Sequence, residues 1–403
     1  MNTHYTAAVL QQAIMKARPW TPTALILRIS NMLPEIQPAF MDLVGVINDV
    51  ESPSAYLFEA VRKIRKTLPL YLRIIFYLAE KIAPRCVADP ILSFVINKMI
   101  VPFFIVVDEK AYVKTKKQHE KYGAKIILDI VGEAAHLPSD ASIYMESYKH
   151  VMRTFSGGKL AVKPSSLVAA SEFEKNSYEE NKELLKTKLA ELFTEAKETG
   201  TAVTVDAEEY FQWCHLTEEA FLETVLEERF RDMPNEVGIA LQTYRKDAYA
   251  SAQKILDAAK KRGNHIRVRV VKGAYWGEEH TVAARLGKDF PLFEHQKETD
   301  AMFDAVVSLL MNNREYIHTS PATHNAKQIA HAIRSAKGDF TNFAFEVLIG
   351  MGESILRVLC KLGVPVLVYC PLIRIHGCIK EGMRYLLRRL DEVAKSSHVL
   401  KNV

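Results

Sequence analysis

The sequence has 403 residues, of which 48% are hydrophobic and 25% charged, a balance that excludes a disordered, collagen-like or coiled-coil protein. The formal net charge at pH 7 is +5, from 53 Lys and Arg against 48 Asp and Glu, and the charges are spread along the chain without arginine clusters. A nucleic-acid partner is therefore not predicted.

The five cysteines are odd in number and include no CxxC pair, which indicates neither a disulfide framework nor a structural zinc site. We therefore expect a reducing compartment. The first 34 residues carry too few arginines and serines to favour a mitochondrial presequence. The predicted location is the cytoplasm, with a peripheral position on the inner membrane as an alternative, in the mitochondrion if the source is eukaryotic.

Residues 1–118 are predicted to form a helical arm. Residues 55–66 and 70–82 place apolar side chains three and four positions apart, which is the period of an amphipathic helix. The most apolar run, residues 91–107, carries Lys98 near its middle and is interrupted by Pro102. Since both features disfavour a membrane span, this run predicts a buried or interfacial helix.

The end of the arm is rich in lysine. Residues 110–125 predict a helix with a solvated basic face, and contact with an anionic membrane surface is the alternative.

From residue 125 onward, eight short β-branched runs alternate with helix-compatible stretches, as in a parallel sheet covered by helices. Eight βα units close a barrel, so residues 119–403 predict a (βα)8 barrel. The predicted strands are residues 125–131, 160–163, 202–206, 237–242, 266–272, 317–324, 340–348 and 364–369.

Polar and aromatic residues stand at the ends of these strands, where barrel enzymes build their sites. Examples are Lys163, Asp206, Gln242, Lys272 and Tyr369. Because burial of such groups without partners is costly, their convergence at one rim predicts a ligand site.

Five motifs follow one another in the barrel region: VDAEE at 205–209, RVVKGAYW at 269–276, ATHN at 322–325, GMGE at 350–353 and YLLRR at 385–389. This ordered set closely resembles the proline dehydrogenase family, either monofunctional or as the proline dehydrogenase portion of a proline utilization A protein. No aldehyde dehydrogenase portion follows, so we expect a monofunctional chain.

The resemblance implies a distorted (βα)8 TIM-type barrel that holds FAD non-covalently. Such a protein oxidises L-proline to pyrroline-5-carboxylate, the first step of proline catabolism, by hydride transfer to flavin N5. The electrons then pass to a quinone, which makes peripheral membrane association an expected property.

The resemblance also implies which residues contact the substrate. Arg388 and Arg389 supply a guanidinium fork for the proline carboxylate, and Lys163 and Asp206 are expected to form an ion pair beside the substrate. The remaining substrate-site assignments are two aromatic walls, an apolar contact, a helix acid and a gate acid that pairs with an arginine: Tyr275, Tyr369, Leu348, Glu392 and Glu133.

The cofactor residues implied by the resemblance lie on other strands. Arg269 is expected to reach flavin N5, where a cationic donor raises the electron affinity of the flavin. The other expected cofactor contacts are Gln242, Val271, Lys272, Gly273, Ala274, Thr323, His324 and Asn325.

The sequence departs from the family pattern in two places. Pro371-Leu-Ile-Arg374 replaces the usual Pro-x-Gly turn after the last strand, and Ala344 and Glu346 replace the family's acid and glutamine. Two alternatives to a proline dehydrogenase therefore stay open. One is a non-catalytic barrel that binds proline or a partner, and the other is an aldolase-type barrel in which Lys163 or Lys272 forms a Schiff base.

Overall fold

The computed structural model describes residues 6–17, 51–63, 73–74, 77–78, 80–81, 84–94, 105–132, 134–233 and 236–373. Eight parallel strands form one sheet in the order β6-β5-β4-β3-β2-β1-β8-β7. They are β1 (Lys125–Val131), β2 (Lys159–Val162), β3 (Ala202–Val205), β4 (Val237–Gln242), β5 (Ile266–Val271), β6 (Ile317–Pro321), β7 (Phe345–Leu348) and β8 (Val366–Ile373).

Two isolated parallel bridges, Thr319 with Phe343 and Ala322 with Glu346, join the open edges of β6 and β7. The sheet is thereby a nearly closed barrel, and the predicted (βα)8 fold is confirmed.

Helices cover the outside of the barrel. They are α1 (Ala7–Lys16), α2 (Pro53–Lys63), α3 (Arg85–Phe94), α4 (Glu109–Glu120), α5 (Pro138–Thr154), α6 (Pro164–Leu167), α7 (Ala170–Phe173), α8 (Tyr178–Thr199), α9 (His215–Val225), α10 (Glu228–Arg231), α11 (Ala248–Arg262), α12 (Trp276–Leu286), α13 (Gln296–Asn312), α14 (Ala326–Ala336) and α15 (Glu353–Lys361). A π-helical turn, Tyr210–Cys214, leads into α9.

Local sequence explains the bounds of α8, the longest of these helices. Ser177 and Glu180 form a capping box, in which the Glu180 carboxylate accepts the Ser177 backbone N–H at 2.7 Å. Gly200 ends the helix at φ 67°, a left-handed conformation that glycine adopts without steric cost.

Two separate apolar clusters are found among the residues that the structure describes. The larger core lies between the sheet and its helices and includes Phe193, Phe221 and Phe303. A small cluster of Ile127, Ala161, Ala344 and Leu367, with Tyr369 against it, fills only part of the barrel interior. Charged side chains occupy much of the rest of that interior.

The arm packs on the barrel through two described helices. Leu10 and Ile14 of α1 are fully buried where α1 meets α14 and α15, and α4 contacts β1. Lys110, Lys114, Lys116 and the other lysine of α4 are exposed, as predicted for a solvated face. The division of the chain at residue 118 stays a prediction.

The helix predicted over residues 91–107 is wrong at its end. Residues 95–104 lie outside the described residues, but Val106 is extended and forms a bridge with Leu372. Its N–H donates to Pro371 O at 2.7 Å, and Ile373 N–H donates to Val106 O at 3.1 Å. This pairing explains why β8 continues to Ile373, beyond its predicted end at residue 369. No helix in the part of the chain that the structure describes is long and apolar enough to cross a membrane.

Candidate active site

Lys163 comes directly after β2, and its ammonium group contacts β1. Nζ lies 2.5 Å from Asp129 Oδ1 and donates to Ile130 O at 3.1 Å. Asp129 is only 1% exposed. Burial alone would lower the pKa of Lys163, but Asp129, Tyr148 and Asp206 outweigh it and hold this pKa above its ordinary value. Lys163 is therefore a charged ammonium at neutral pH.

Asp206 follows β3 and is held by groups from across the barrel. One carboxylate oxygen forms an ion pair with Arg269 Nη1, and the other accepts the Tyr369 hydroxyl at 2.8 Å. The Arg269 guanidinium carbon also lies 4.9 Å from the centre of the Tyr369 ring, a cation–π arrangement. Asp206, which follows β3, therefore forms one interlocked group with Arg269 of β5 and Tyr369 of β8.

Arg269 is also bound from β7. Its Nε donates to Glu346 Oε2 at 2.6 Å. Burial lowers the pKa of Arg269, but the carboxylates of Glu346 and Asp206 override it, so this pKa lies above its usual range. The remaining nitrogen, Nη2, is buried and has no hydrogen-bond partner among the described residues. A buried donor without a partner is costly, which makes Nη2 a candidate ligand contact.

The predicted ion pair between Lys163 and Asp206 is wrong. Lys163 is paired with Asp129, and Asp206 is paired with Arg269. β2 lies between β1 and β3, and both oxygens of Asp206 are already held by Arg269 and Tyr369, so the lysine binds Asp129 of β1 instead. The available signal was Asp129 itself, a lone acid in the apolar run KIILDIV.

A second group of charges lies nearer the amino ends of the strands. Glu236 forms ion pairs with Lys159 and Arg267 and lies 3.0 Å from His318 Nδ1. Burial raises the pKa of Glu236, but these basic neighbours hold it far below its usual range. Arg267 Nη1 donates to Ser320 Oγ at 2.6 Å.

Glu346 lies between these two groups. Its Oε1 is 4.0 Å from Arg267 Nη1, while its Oε2 accepts from Arg269. Alternating charges therefore run through the barrel interior, from Glu236 through Arg267, Glu346 and Arg269 to Asp206.

The residues that were expected to contact the cofactor lie at or just after the carboxyl ends of the strands around Arg269. Gln242 is buried at the end of β4, where its Nε2 donates weakly to Ala207 O at 3.5 Å. The Val271 carbonyl accepts the Thr243 N–H at 2.8 Å, so its backbone ties β5 to β4. Gly273 has φ 133°, and a Cβ there would lie 2.5 Å from the Tyr244 ring. Only glycine fits this turn, and Gly273 and Ala274 are exposed.

Lys272 and Tyr275 flank that turn. Lys272 Nζ is 2.5 Å from Asp300 Oδ1 of α13. Tyr275 is half-buried at the N-cap of α12. Lys272 is therefore committed to an ion pair that the sequence did not predict.

The ATHN motif joins β6 to α14. Thr323 Oγ1 accepts the Asn325 N–H at 3.2 Å, and Asn325 Oδ1 caps α14 by accepting the Lys327 N–H at 2.9 Å. His324 Nε2 accepts the Leu348 N–H at 3.4 Å. Leu348 is the register partner of Tyr369 in β8, so these contacts place the ATHN motif next to Tyr369 and the Asp206 carboxylate that it binds.

Four of the predicted residues cannot be placed. Glu133, Arg388, Arg389 and Glu392 lie outside the described residues.

Two further residues shape the rim, although the sequence assigned no role to either of them. Glu208 accepts both the Ser165 N–H at 2.7 Å and the Ser165 hydroxyl at 2.6 Å. Burial raises the pKa of Glu208 to about 7, although the bonds from Ser165 oppose the shift. A Cβ at Gly132, which directly follows β1, would overlap the Tyr144 hydroxyl.

Comparison with known proteins decides the family. The family model described as proline dehydrogenase matches residues 112–402. The chain belongs to the proline dehydrogenase family. This confirms the resemblance and the class of enzyme that it implied, an oxidoreductase.

The relatives are of two lengths. The bifunctional protein PutA of Escherichia coli is 26% identical over 307 residues, which cover 70% of this chain but 22% of the relative. Proline dehydrogenase 1 of Bacillus subtilis is 25% identical over 299 residues, covering 72% of this chain and 86% of the relative. The chain thus spans about a fifth of the bifunctional relative.

Solved structures agree on the fold. Proline utilization A from Bdellovibrio bacteriovorus superimposes with a TM-score of 0.79 at 22% identity, over 98% of this chain and 42% of that one.

Proposed function

We propose that this chain oxidises L-proline to pyrroline-5-carboxylate with FAD as the electron acceptor, as a step of proline catabolism. The observation that carries the proposal is the buried Nη2 of Arg269, a charged donor without a partner among the described residues, on a guanidinium group that also binds Asp206 after β3. A flavin ring offers acceptors to such a donor, and a bound flavin supplies the capacity to take a hydride at N5.

The surrounding rim fits a dinucleotide cofactor. The N-terminus of α14, capped by Asn325, carries the positive end of a helix dipole, which suits a phosphate group. Gly273 allows close approach of backbone at the neighbouring rim. Gln242 and His324 offer further polar contacts from β4 and β6.

The substrate side of the site is the Lys163 and Asp206 region. Leu348 and Tyr369, paired across β7 and β8, would form one wall against a proline ring. The carboxylate of Asp206 is fixed by two partners, so it stabilises positive charge without changing position. The assignment of Arg388 and Arg389 to the proline carboxylate stays a prediction, as do the roles of Glu133 and Glu392.

The geometry disfavours the Schiff-base alternative. A lysine nucleophile needs a neutral amine, usually reached through a lowered pKa. The pKa of Lys163 is instead raised by Asp129. Lys272 is held by Asp300.

The electron acceptor and the setting of the protein also belong to the proposal. We propose a quinone as acceptor, and peripheral contact with a membrane would bring the two together. The cytoplasmic location stays a prediction.

The proposal is tested by the absorbance spectrum of the purified protein before and after anaerobic addition of L-proline. We expect a flavin spectrum that bleaches with L-proline. A flavin-free protein that does not bind added FAD would contradict the proposal, and flavin that never bleaches would favour the non-catalytic barrel.

Two arginines of the same strand provide a matched pair for this test. Arg269→Gln removes the unpartnered donor and is expected to weaken FAD binding at least tenfold, from the loss of one charged hydrogen bond of about 1.5–3 kcal/mol. Arg267→Gln, two residues earlier on β5, is the control for loss of a buried arginine and should change FAD affinity less than threefold.

A further inference from the structure

Glu346 has an arginine at each of its two carboxylate oxygens. It is 3% exposed on β7, and both arginines come from β5, where their side chains share the interior face. Oε2 accepts from Arg269 at 2.6 Å, whereas Oε1 is 4.0 Å from Arg267 and has no hydrogen-bond partner among the described residues. Among the described residues, the Glu346 side chain therefore accepts a hydrogen bond from Arg269 alone.

The charges of this interior network balance. Four cationic side chains face four carboxylates, and every member has at least one oppositely charged neighbour: Lys159, Lys163, Arg267 and Arg269 with Asp129, Asp206, Glu236 and Glu346. Loss of one carboxylate leaves an uncompensated positive charge in a poorly solvated space, where charges interact strongly.

Glu346 differs from Asp206 in what it does to Arg269. Asp206 binds Nη1, and the Tyr369 hydroxyl also binds Asp206. Glu346 binds Nε, the nitrogen on the side-chain stem, and so fixes the rotation of the guanidinium plane. Because Nε and Nη1 are both bound, the orientation of the planar guanidinium group is fixed, and with it the direction in which Nη2 can donate.

We propose that Glu346 is a positioning residue that directs Arg269 Nη2 toward the bound flavin and, through its negative charge, lowers the reduction potential of that flavin. This inference rests on the proposed function, because it supposes a flavin next to Nη2. A neutral glutamine could accept the same hydrogen bond, so the carboxylate is required only if its charge matters.

Two conservative variants separate the hydrogen bond from the charge. Glu346→Gln keeps the length and an acceptor oxygen but loses the charge. Glu346→Asp keeps the charge but shortens the side chain by one methylene group. The reduction potential of the bound flavin is measured by equilibration with a reference dye, without L-proline.

In Glu346→Gln we expect the dye equilibrium to move at least tenfold toward reduced flavin, which is about 30 mV for a two-electron couple. In Glu346→Asp the equilibrium should stay within threefold of wild type. Equal potentials in the wild-type and Glu346→Gln proteins would overturn the charge effect.

A measurement on flavin-free protein tests the positioning separately. In a double-mutant cycle of Glu346→Leu and Arg269→Gln, the losses of unfolding free energy should not add, because each variant removes the hydrogen bond between the two side chains. Additive effects would overturn the positioning role. If the wild type bound no FAD, the proposed function and the effect on the flavin would both fail, and the cycle would still decide whether Glu346 holds Arg269.

Discussion

Replacing Lys163 by Met should leave the buried carboxylate of Asp129 without its cation. Asp129 is 1% exposed, and its partner lies 2.5 Å away. Removing one member of a buried ion pair typically costs about 3–5 kcal/mol of unfolding free energy, because the other charge stays buried. Methionine retains most of the packing of the lysine stem.

Protonation of Asp129 limits this loss. In the unfolded chain, where the carboxyl has its ordinary pKa of 3.8, taking up a proton costs about 5 kcal/mol at pH 7.5 but only about 2 kcal/mol at pH 5.5. Burial raises the pKa of Asp129 in the folded protein, so this cost is the upper limit of the loss. The stability difference between wild type and Lys163→Met should therefore be about 3–5 kcal/mol at pH 7.5 and at most about 2 kcal/mol at pH 5.5.

Urea unfolding at the two pH values measures both differences, with tryptophan fluorescence as the probe, to which the buried Trp213 contributes. Lys149→Met is the control, since Lys149 pairs with the half-exposed Glu191 at 2.6 Å on the barrel surface. It should cost less than about 1 kcal/mol at either pH. A loss in Lys163→Met that is equally small, or that does not change with pH, would refute the argument for a desolvated pair.

Three other changes test the rim. Gly132→Ala should lower the free energy of chemical unfolding by at least about 1–3 kcal/mol, because the new Cβ would overlap the Tyr144 hydroxyl. The double variant Gly132→Ala/Tyr144→Ala removes that ring and should recover part of the loss. Tyr369→Phe keeps the ring but loses the bond to Asp206, so the unfolding free energy should fall by about 1.5–3 kcal/mol, and no change would show that this bond is not formed. The pKa of Glu208 is raised from 4.5 to about 7, which makes the unfolding free energy of the wild type fall as pH rises through that window. Glu208→Gln should therefore gain about 3 kcal/mol relative to wild type between pH 4.5 and 7. Replacing the exposed Glu278 by Gln should show no such trend.

The eight strands could be predicted from the sequence because each one is a short β-branched run bounded by polar residues. β1 and β4 begin and end where the pattern indicates. The end of β8 could not be predicted, because it depends on Val106, more than 250 residues earlier in the chain. Local periodicity carries no information about such a contact.

The sequence predicted which residues lie in the site better than it predicted which of them form ion pairs with one another. The topology alone brings Lys163, Asp206, Arg269 and Tyr369 to one rim, since parallel strands end together. Which carboxylate each cation binds depends on how far a side chain reaches between particular strands. For this reason Asp129 was missed as the partner of Lys163, and the contact from Glu346 to Arg269 was not anticipated.

The docking of α1 delays one step of folding until late in synthesis of the protein. The helix α1, with its buried Leu10 and Ile14, packs against α14 and α15, the last helices that the structure describes. More than 300 residues must leave the ribosome between these apolar side chains and their partners, which takes about 15–60 s at typical elongation rates. During that interval the two side chains are exposed on a segment that a chaperone could bind, and the segment docks only after α14 and α15 have formed.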